Sequence, residues 1–215
     1  MSFLSTHLIT LRFRVFLLLR GVRDAIRGTP VSVSLPYSGS IFDRVEGVDY
    51  LLNNCKGASI LDIGSCDGLV AYEFAKRGAY LIHGFDRNIS DVAFAIRLFR
   101  GVPIKSTFIH TNVALGPECF IEKCESVLRD SYDIVLFLGI YHHLKRQMKP
   151  DRLSDLLDFL LRRTQSLFAI RTDLVVECEE QICSSGFKLV YETEGSSKVG
   201  KLCVYQRDKE REIKK

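Results

Sequence analysis

Two aspartates and two glycines form the most informative spacing in this chain. Asp62 and Gly64 close an apolar run, Ile60-Leu61-Asp62-Ile63, and Gly68 follows just before a helix-like stretch over 68–77. A strand that ends on glycines and re-enters as a helix turns backbone N–H groups and a helix N-terminus towards a ligand. A second apolar run, Tyr80 to Phe85, ends on Asp86. A carboxylate there is placed to accept hydrogen bonds from both hydroxyls of a nucleoside ribose. The chemistry implied is the binding of a nucleoside cofactor. The G-x-G-x-x-G series of a dinucleotide site is absent, so a nicotinamide-dependent reaction is disfavoured.

A second group of reactive side chains lies in Tyr132-Asp-Ile-Val-Leu-Phe-Leu-Gly-Ile-Tyr-His-His-Leu144. The apolar residues after Asp133 fit a central strand buried on both faces, and Gly139 breaks it. His142 and His143 follow, and imidazole titrates near neutrality, which suits a general base. The competing assignment is structural, since a histidine here can cap the next helix. His83 and His110 fall inside expected strands and are read as structural.

Asp62-x-Gly64-x-x-x-Gly68 resembles motif I of the class I S-adenosylmethionine (SAM)-dependent methyltransferases, usually D-x-G-x-G-x-G, with Cys66 in place of the middle glycine. Tyr132 to Leu144 is similar to motif IV of the same family. The resemblance spans roughly residues 40–206. It implies SAM as cofactor, with Asp62, Gly64, Ser65, Cys66 and Gly68 along its methionine part. Asp86 and Arg87 would lie at the ribose, Asn112 and Val113 at the adenine, and Leu138, Gly139 and Tyr141 along the far wall. It implies methyl transfer, with His142 or His143 as the base where the acceptor carries a proton, and His142 slightly ahead.

The acceptor itself is approached by elimination. No N-P-P-Y-like run follows the fourth strand, where Leu138-Gly-Ile-Tyr141 stands, and no Pro-Cys pair marks a cytosine nucleophile. Oxygen or carbon acceptors on a small metabolite, a sugar or a lipid-linked glycan remain, ahead of nitrogen. An RNA-modifying enzyme and a non-catalytic binding or scaffold protein of the same fold are the alternatives.

These residues need a frame, and the 215-residue chain is long enough for one core. Strands are expected at 59–63, 80–85, 106–110, 133–138 and 166–171, alternating with helices at 68–77, 90–100, 117–128, 151–164 and 174–184. Such alternation gives crossover units and a parallel sheet. Residues 187–192 and 201–206 flank a Gly/Ser-rich turn, so the last pair is expected to be antiparallel. The fold class is therefore α/β: a doubly wound, mostly parallel seven-stranded sheet with a C-terminal antiparallel hairpin. Ser40-Ile-Phe-Asp43 has the form of a helix start, with Ile41, Val45, Val48 and Leu52 on one face.

The expected organisation is an N-terminal amphipathic helix and linker (1–39), the main domain (40–206) and a charged tail (207–215). The seven cysteines contain no C-x-x-C pair, which argues for reduced core thiols and against a zinc or disulfide framework; no metal is expected. Net charge is +4, and residues 4–27, with Arg12, Arg14, Arg20, Arg23 and Arg27 against Asp24, account for the excess. The remainder is balanced, so DNA is not an expected partner, while RNA stays open.

Within 4–27, Leu4, Leu8, Leu11, Val15, Leu18, Val22 and Ile26 form an apolar stripe. Arg14 and Arg20 bound its longest apolar run, which argues against a signal peptide, and with Arg12 they leave no stretch apolar enough for a membrane span. The helix either covers the cleft or a second subunit, as in a homodimer, or rests on an anionic membrane surface. A cytoplasmic location follows, with peripheral contact at the inner face of a membrane under the second reading.

Overall fold

The computed structural model describes residues 44–194 and 200–208. The expected helix over 4–27, the linker, the helix start at Ser40–Asp43 and most of the charged tail lie outside these residues. No helix among the described residues is long and apolar enough to cross a membrane.

The chain alternates as expected. β1 (Ser59–Ile63), α2 (Leu69–Lys76), β2 (Leu81–Asp86), α3 (Ile89–Leu98) and β3 (Lys105–His110) follow a short α1 (Asp49–Asn53). After them come α4 (Pro117–Cys124), β4 (Tyr132–Leu138), α5 (Tyr141–Lys145), α6 (Pro150–Arg163), β5 (Thr164–Arg171), α7 (Val176–Ser184), β6 (Phe187–Glu192) and β7 (Leu202–Arg207). The seven strands form one sheet in the order β3-β2-β1-β4-β5-β7-β6. β1 to β5 are parallel, and β7 runs antiparallel to both β5 and β6.

The hairpin thus folds back into the sheet, and its second strand takes the interior slot. Burial explains the choice. Leu202, Cys203, Val204 and Tyr205 are all buried, whereas β6 carries exposed Lys188 and Leu189. A continuous apolar run belongs inside a sheet, and a strand with a lysine suits an edge.

Alternating side chains of the central strands supply the core. Leu61, Ile63, Phe85, Val135, Phe137, Phe168 and Ile170 pack with Phe120 of α4, Phe159 of α6 and Ile182 of α7. The leucines of α6 (Leu153, Leu156, Leu157, Leu160, Leu161) recur at helical spacing and are all buried.

Three expectations are corrected. The helix before β1 is not continuous: a turn over 46–48 interrupts it. Gly47 has φ +73°, and a Cβ there would lie 2.5 Å from Thr193 Cγ2. α4 stops at Cys124, whose carbonyl accepts from both Val127 N and Leu128 N, rather than continuing to 128. Arg207 does not open a tail but ends β7, donating to the carbonyls of Thr164 and Leu161 while its guanidinium lies over Phe187.

Candidate cofactor site

The carboxyl ends of β1, β2, β3 and β4 carry the residues singled out above, as an open α/β sheet requires of a binding crevice. β1 hands the chain to a tight loop anchored on β2: Gly64 N and Ser65 N both donate to Phe85 O, at 2.8 and 3.1 Å. Gly68 N then returns to Ser65 O at 3.0 Å, and α2 begins. Cys66 stands at the crown with φ +49°, the one non-glycine in the left-handed region among the described residues. Its N–H donates to Asp86 Oδ2 at 2.9 Å. Asp86 accepts a second backbone bond, from Asn88 N at 2.8 Å on Oδ1. The expected ribose ligand therefore ties the loop after β1 to the start of α3. Asn88 in turn caps α3 by accepting from Ser90 N at 3.0 Å.

Four carboxyl groups converge here. Asp62 is 3% exposed, and burial, with Asp86 nearby, pushes its carboxyl up to about 7 against the pull of Arg44. Asp91, in the first turn of α3, is also buried, and burial, Asp86 and Asp67 raise it. Asp67 takes the Arg44 guanidinium in a two-pronged pair at 2.7 and 3.0 Å and accepts from Leu69 N at 3.2 Å at the head of α2. Burial beside Asp67 and Asp91 pushes the Cys66 thiol up to about 12, so it stays protonated, 3.7 Å from Asp91 Oδ2.

Buried atoms without a hydrogen-bond partner include Asp62 Oδ2, Ser65 Oγ and Asp91 Oδ1. Native proteins seldom leave such groups unpaired, because each loses its hydration without compensation. Carboxyl oxygens and a hydroxyl left without a partner on β1, on the loop after it and in the first turn of α3 suit a ligand that is cationic and donates hydrogen bonds. An amino acid-like group with a sulfonium has those properties, and the residues therefore fit SAM.

The other expected contacts are distributed differently. Arg87 is exposed and donates to Gln147 Oε1 at 3.1 Å, and its carbonyl meets His110 Nε2 at 3.0 Å. Asn112 caps the single turn Val113–Leu115, its side chain accepting from Ala114 N at 3.1 Å, and Val113 is buried. Leu138 ends β4 and Gly139 follows it, with Gly139 N on Arg171 O at 3.0 Å. Tyr141 is buried edge-on to Phe137, and burial raises its phenol to about 12. His142 is half-buried and His143 exposed, with ring centroids 3.9 Å apart on the short helix α5. Burial and the basic neighbours His142, Arg87 and Arg146 lower the His143 pKa. His83 is buried and shares a 2.7 Å hydrogen bond with Tyr132 Oη.

Sequence reasoning passed over Arg44, Asp67 and Asp91. Asp67 and Asp91 each sit in or beside the first turn of a helix, where a carboxylate has an ordinary role as dipole partner. Arg44 is distant in sequence, and nothing in its surroundings marks it.

The loop suggests a first test. Cys66→Gly removes a side chain from a left-handed position at the cost of one weak thiol contact, so fold and cofactor affinity are both expected to survive. Thermal melting and a SAM binding isotherm check this, and lost binding in a folded variant would mean the motif is misplaced.

No family model and no curated protein sequence matches the chain. Solved structures do. A magnesium protoporphyrin IX methyltransferase from Synechocystis PCC 6803 with bound SAM superposes with TM-score 0.62 at 15% identity, covering 84% of this chain and 87% of that one. A TehB-like SAM-dependent methyltransferase from Corynebacterium glutamicum gives 0.56 at 14% identity, with 80% and 90% covered. The 16S rRNA methylase RmtB gives 0.56 at 16% identity, with 77% and 64% covered. Strand order, loop geometry and these superpositions agree: the chain has the fold of the class I SAM-dependent methyltransferases.

Proposed function

We propose that the protein is a SAM-dependent methyltransferase acting on an oxygen or carbon atom of a small metabolite, a sugar or a lipid-linked glycan. The observation that carries the cofactor half is the pair of buried carboxyl oxygens without a partner, on Asp62 and Asp91, beside the loop that Asp86 secures. When bound, SAM would supply a methyl group already activated on sulfur, so the chain's own work is mainly alignment. Asp62 and Ser65 would hold the methionine end and Asp86 the ribose. Leu138, Gly139 and Tyr141 would close the opposite side and exclude water.

A protein base is needed only for an acceptor that loses a proton. His142 and His143 are the candidates. With its pKa held below the usual imidazole value, His143 is neutral at pH 7 and able to accept a proton. The absence of an N-P-P-Y-like run at Leu138 to Tyr141 supports oxygen or carbon over nitrogen.

Calorimetry with SAM tests the cofactor. Absence of binding at millimolar SAM would leave only a non-catalytic scaffold. Incubation with tritiated-methyl SAM and an extract fractionated into small molecules, lipids and RNA tests the acceptor, and label confined to RNA would overturn the acceptor class. At residue level, Asp86→Ala should weaken SAM binding by about 2–3 kcal/mol, because hydrogen bonds to a charged acceptor disappear together. Equal isotherms for variant and wild type would mean that Asp86 does not hold the ribose.

A further inference from the structure

Arg44 is held at both ends. Its guanidinium grips Asp67 with two hydrogen bonds, and both side chains of the pair are largely buried. Its carbonyl accepts from Arg171 Nη1 at 2.8 Å, and the Glu46 carbonyl accepts from Arg171 Nη2. Arg171 is the last residue of β5, is 5% exposed, and takes Gly139 N on its own carbonyl. The chain ahead of α1, the loop after β1 and the ends of β4 and β5 are thereby joined through two arginines. Bidentate pairing of this kind fixes direction as well as distance.

The same guanidinium is the cation whose field reaches both Asp62 and Asp91, which otherwise face Asp86 and Asp67. A site with four aspartates favours a cationic ligand, and one arginine among them moderates that preference. SAM carries a sulfonium, whereas its demethylated product, S-adenosylhomocysteine, has a neutral thioether in its place. The two ligands differ at the site mainly by that one charge.

We infer that Arg44, held from behind by Arg171, is a positioning residue for the loop after β1 and sets how strongly the site prefers SAM over the demethylated product. This rests on the reading of the site as a SAM site. The two parts of the role separate by substitution. Arg44→Met removes both the grip and the charge, so both ligands should bind more weakly. The product should lose more, because the site left behind is more negative. The preference for SAM should rise about fivefold or more, the scale expected of one partly screened charge. Arg44→Lys keeps the charge without the fork, and Arg171→Met keeps Arg44 without its hold. Both should weaken the two ligands in equal proportion and leave the preference as in wild type.

The experiment is calorimetry of the full chain with SAM and with S-adenosylhomocysteine at pH 8.5, on wild type and the three variants, each first checked for a cooperative melt. A selective rise in Arg44→Met alone supports the inference. Unchanged affinities in Arg44→Met, equal losses of both ligands in it, or the same rise in Arg171→Met would overturn it. If Arg44→Met fails to fold, Asp67→Asn provides the second comparison: it breaks the two-pronged pair and removes a negative charge, so the preference for SAM should fall, and a rise would overturn the inference. Wild type that binds neither ligand would instead remove the SAM reading itself.

Discussion

Asp62→Asn should make the cofactor-free protein more stable at pH 8 and at the same time a much poorer binder of SAM. The carboxyl is buried, has one oxygen without a partner, and is raised to about 7 from an ordinary value of 3.8. Between those two pH values the unfolded chain has released the proton while the folded chain keeps it. Stability therefore falls as pH rises through this window, and the fall is complete above about pH 7. The full difference corresponds to about 4 kcal/mol. An amide of the same shape carries no charge to bury, so the variant should recover most of that loss.

The ligand reverses the sign. A sulfonium or ammonium group beside Asp62 favours the ionised carboxylate, so binding below pH 7 should expel a proton. Wild-type affinity for SAM should climb with pH up to about 7 and level off, and the Asn variant should lack that climb. Chemical denaturation at pH 5 and pH 8 and calorimetry in buffers of different ionisation enthalpy measure both effects. A variant less stable than wild type at pH 8, or binding with no proton release at pH 6, would mean Asp62 is already satisfied in the empty site.

Asp62, Gly64, Gly68 and Asp86 were legible because local patterns announce them: apolar runs stop, glycines follow, and a carboxylate ends the next strand. That the first five strands run parallel follows from the same alternation, whereas their order, β3-β2-β1-β4-β5, does not. The place of β7 was not legible from the hairpin signal, since adjacency in sequence does not say which partner lies inside. It was latent in composition, in the contrast between Leu202-Cys-Val-Tyr205 and the lysine-bearing β6.

The contacts of Arg44 with Asp67 and Arg171 join segments far apart along the chain. No periodicity encodes such pairs, so they become visible only in three dimensions. Gly47 shows the intermediate case. The helical face Val45, Val48 and Leu52 is present in the sequence, yet the close approach of Thr193 and a positive φ break it.

Gly64→Val should abolish SAM binding, and the reason in the structure differs from the one the motif suggests. A glycine here is expected to make room for the cofactor. In the structure a Cβ at Gly64 would lie 2.4 Å from Ile140 Cγ2 and 3.1 Å from Ile140 Cδ1, and the backbone stands at φ +80°. The close neighbour is thus the segment after β4, and the clash would push that wall away from the loop. Two contributions can be told apart. The left-handed backbone penalises any side chain by about 1–2 kcal/mol, and the collision with Ile140 adds to it. Gly64→Ala should therefore destabilise the fold, Ile140→Ala should destabilise it through lost packing, and the double variant should be more stable than the sum of the two losses predicts. Denaturation of the three variants completes the cycle, with SAM isotherms on each. Strict additivity would show that Ile140 yields at no cost, leaving backbone conformation alone to demand glycine. Tight SAM binding by Gly64→Val would displace the cofactor from this loop altogether.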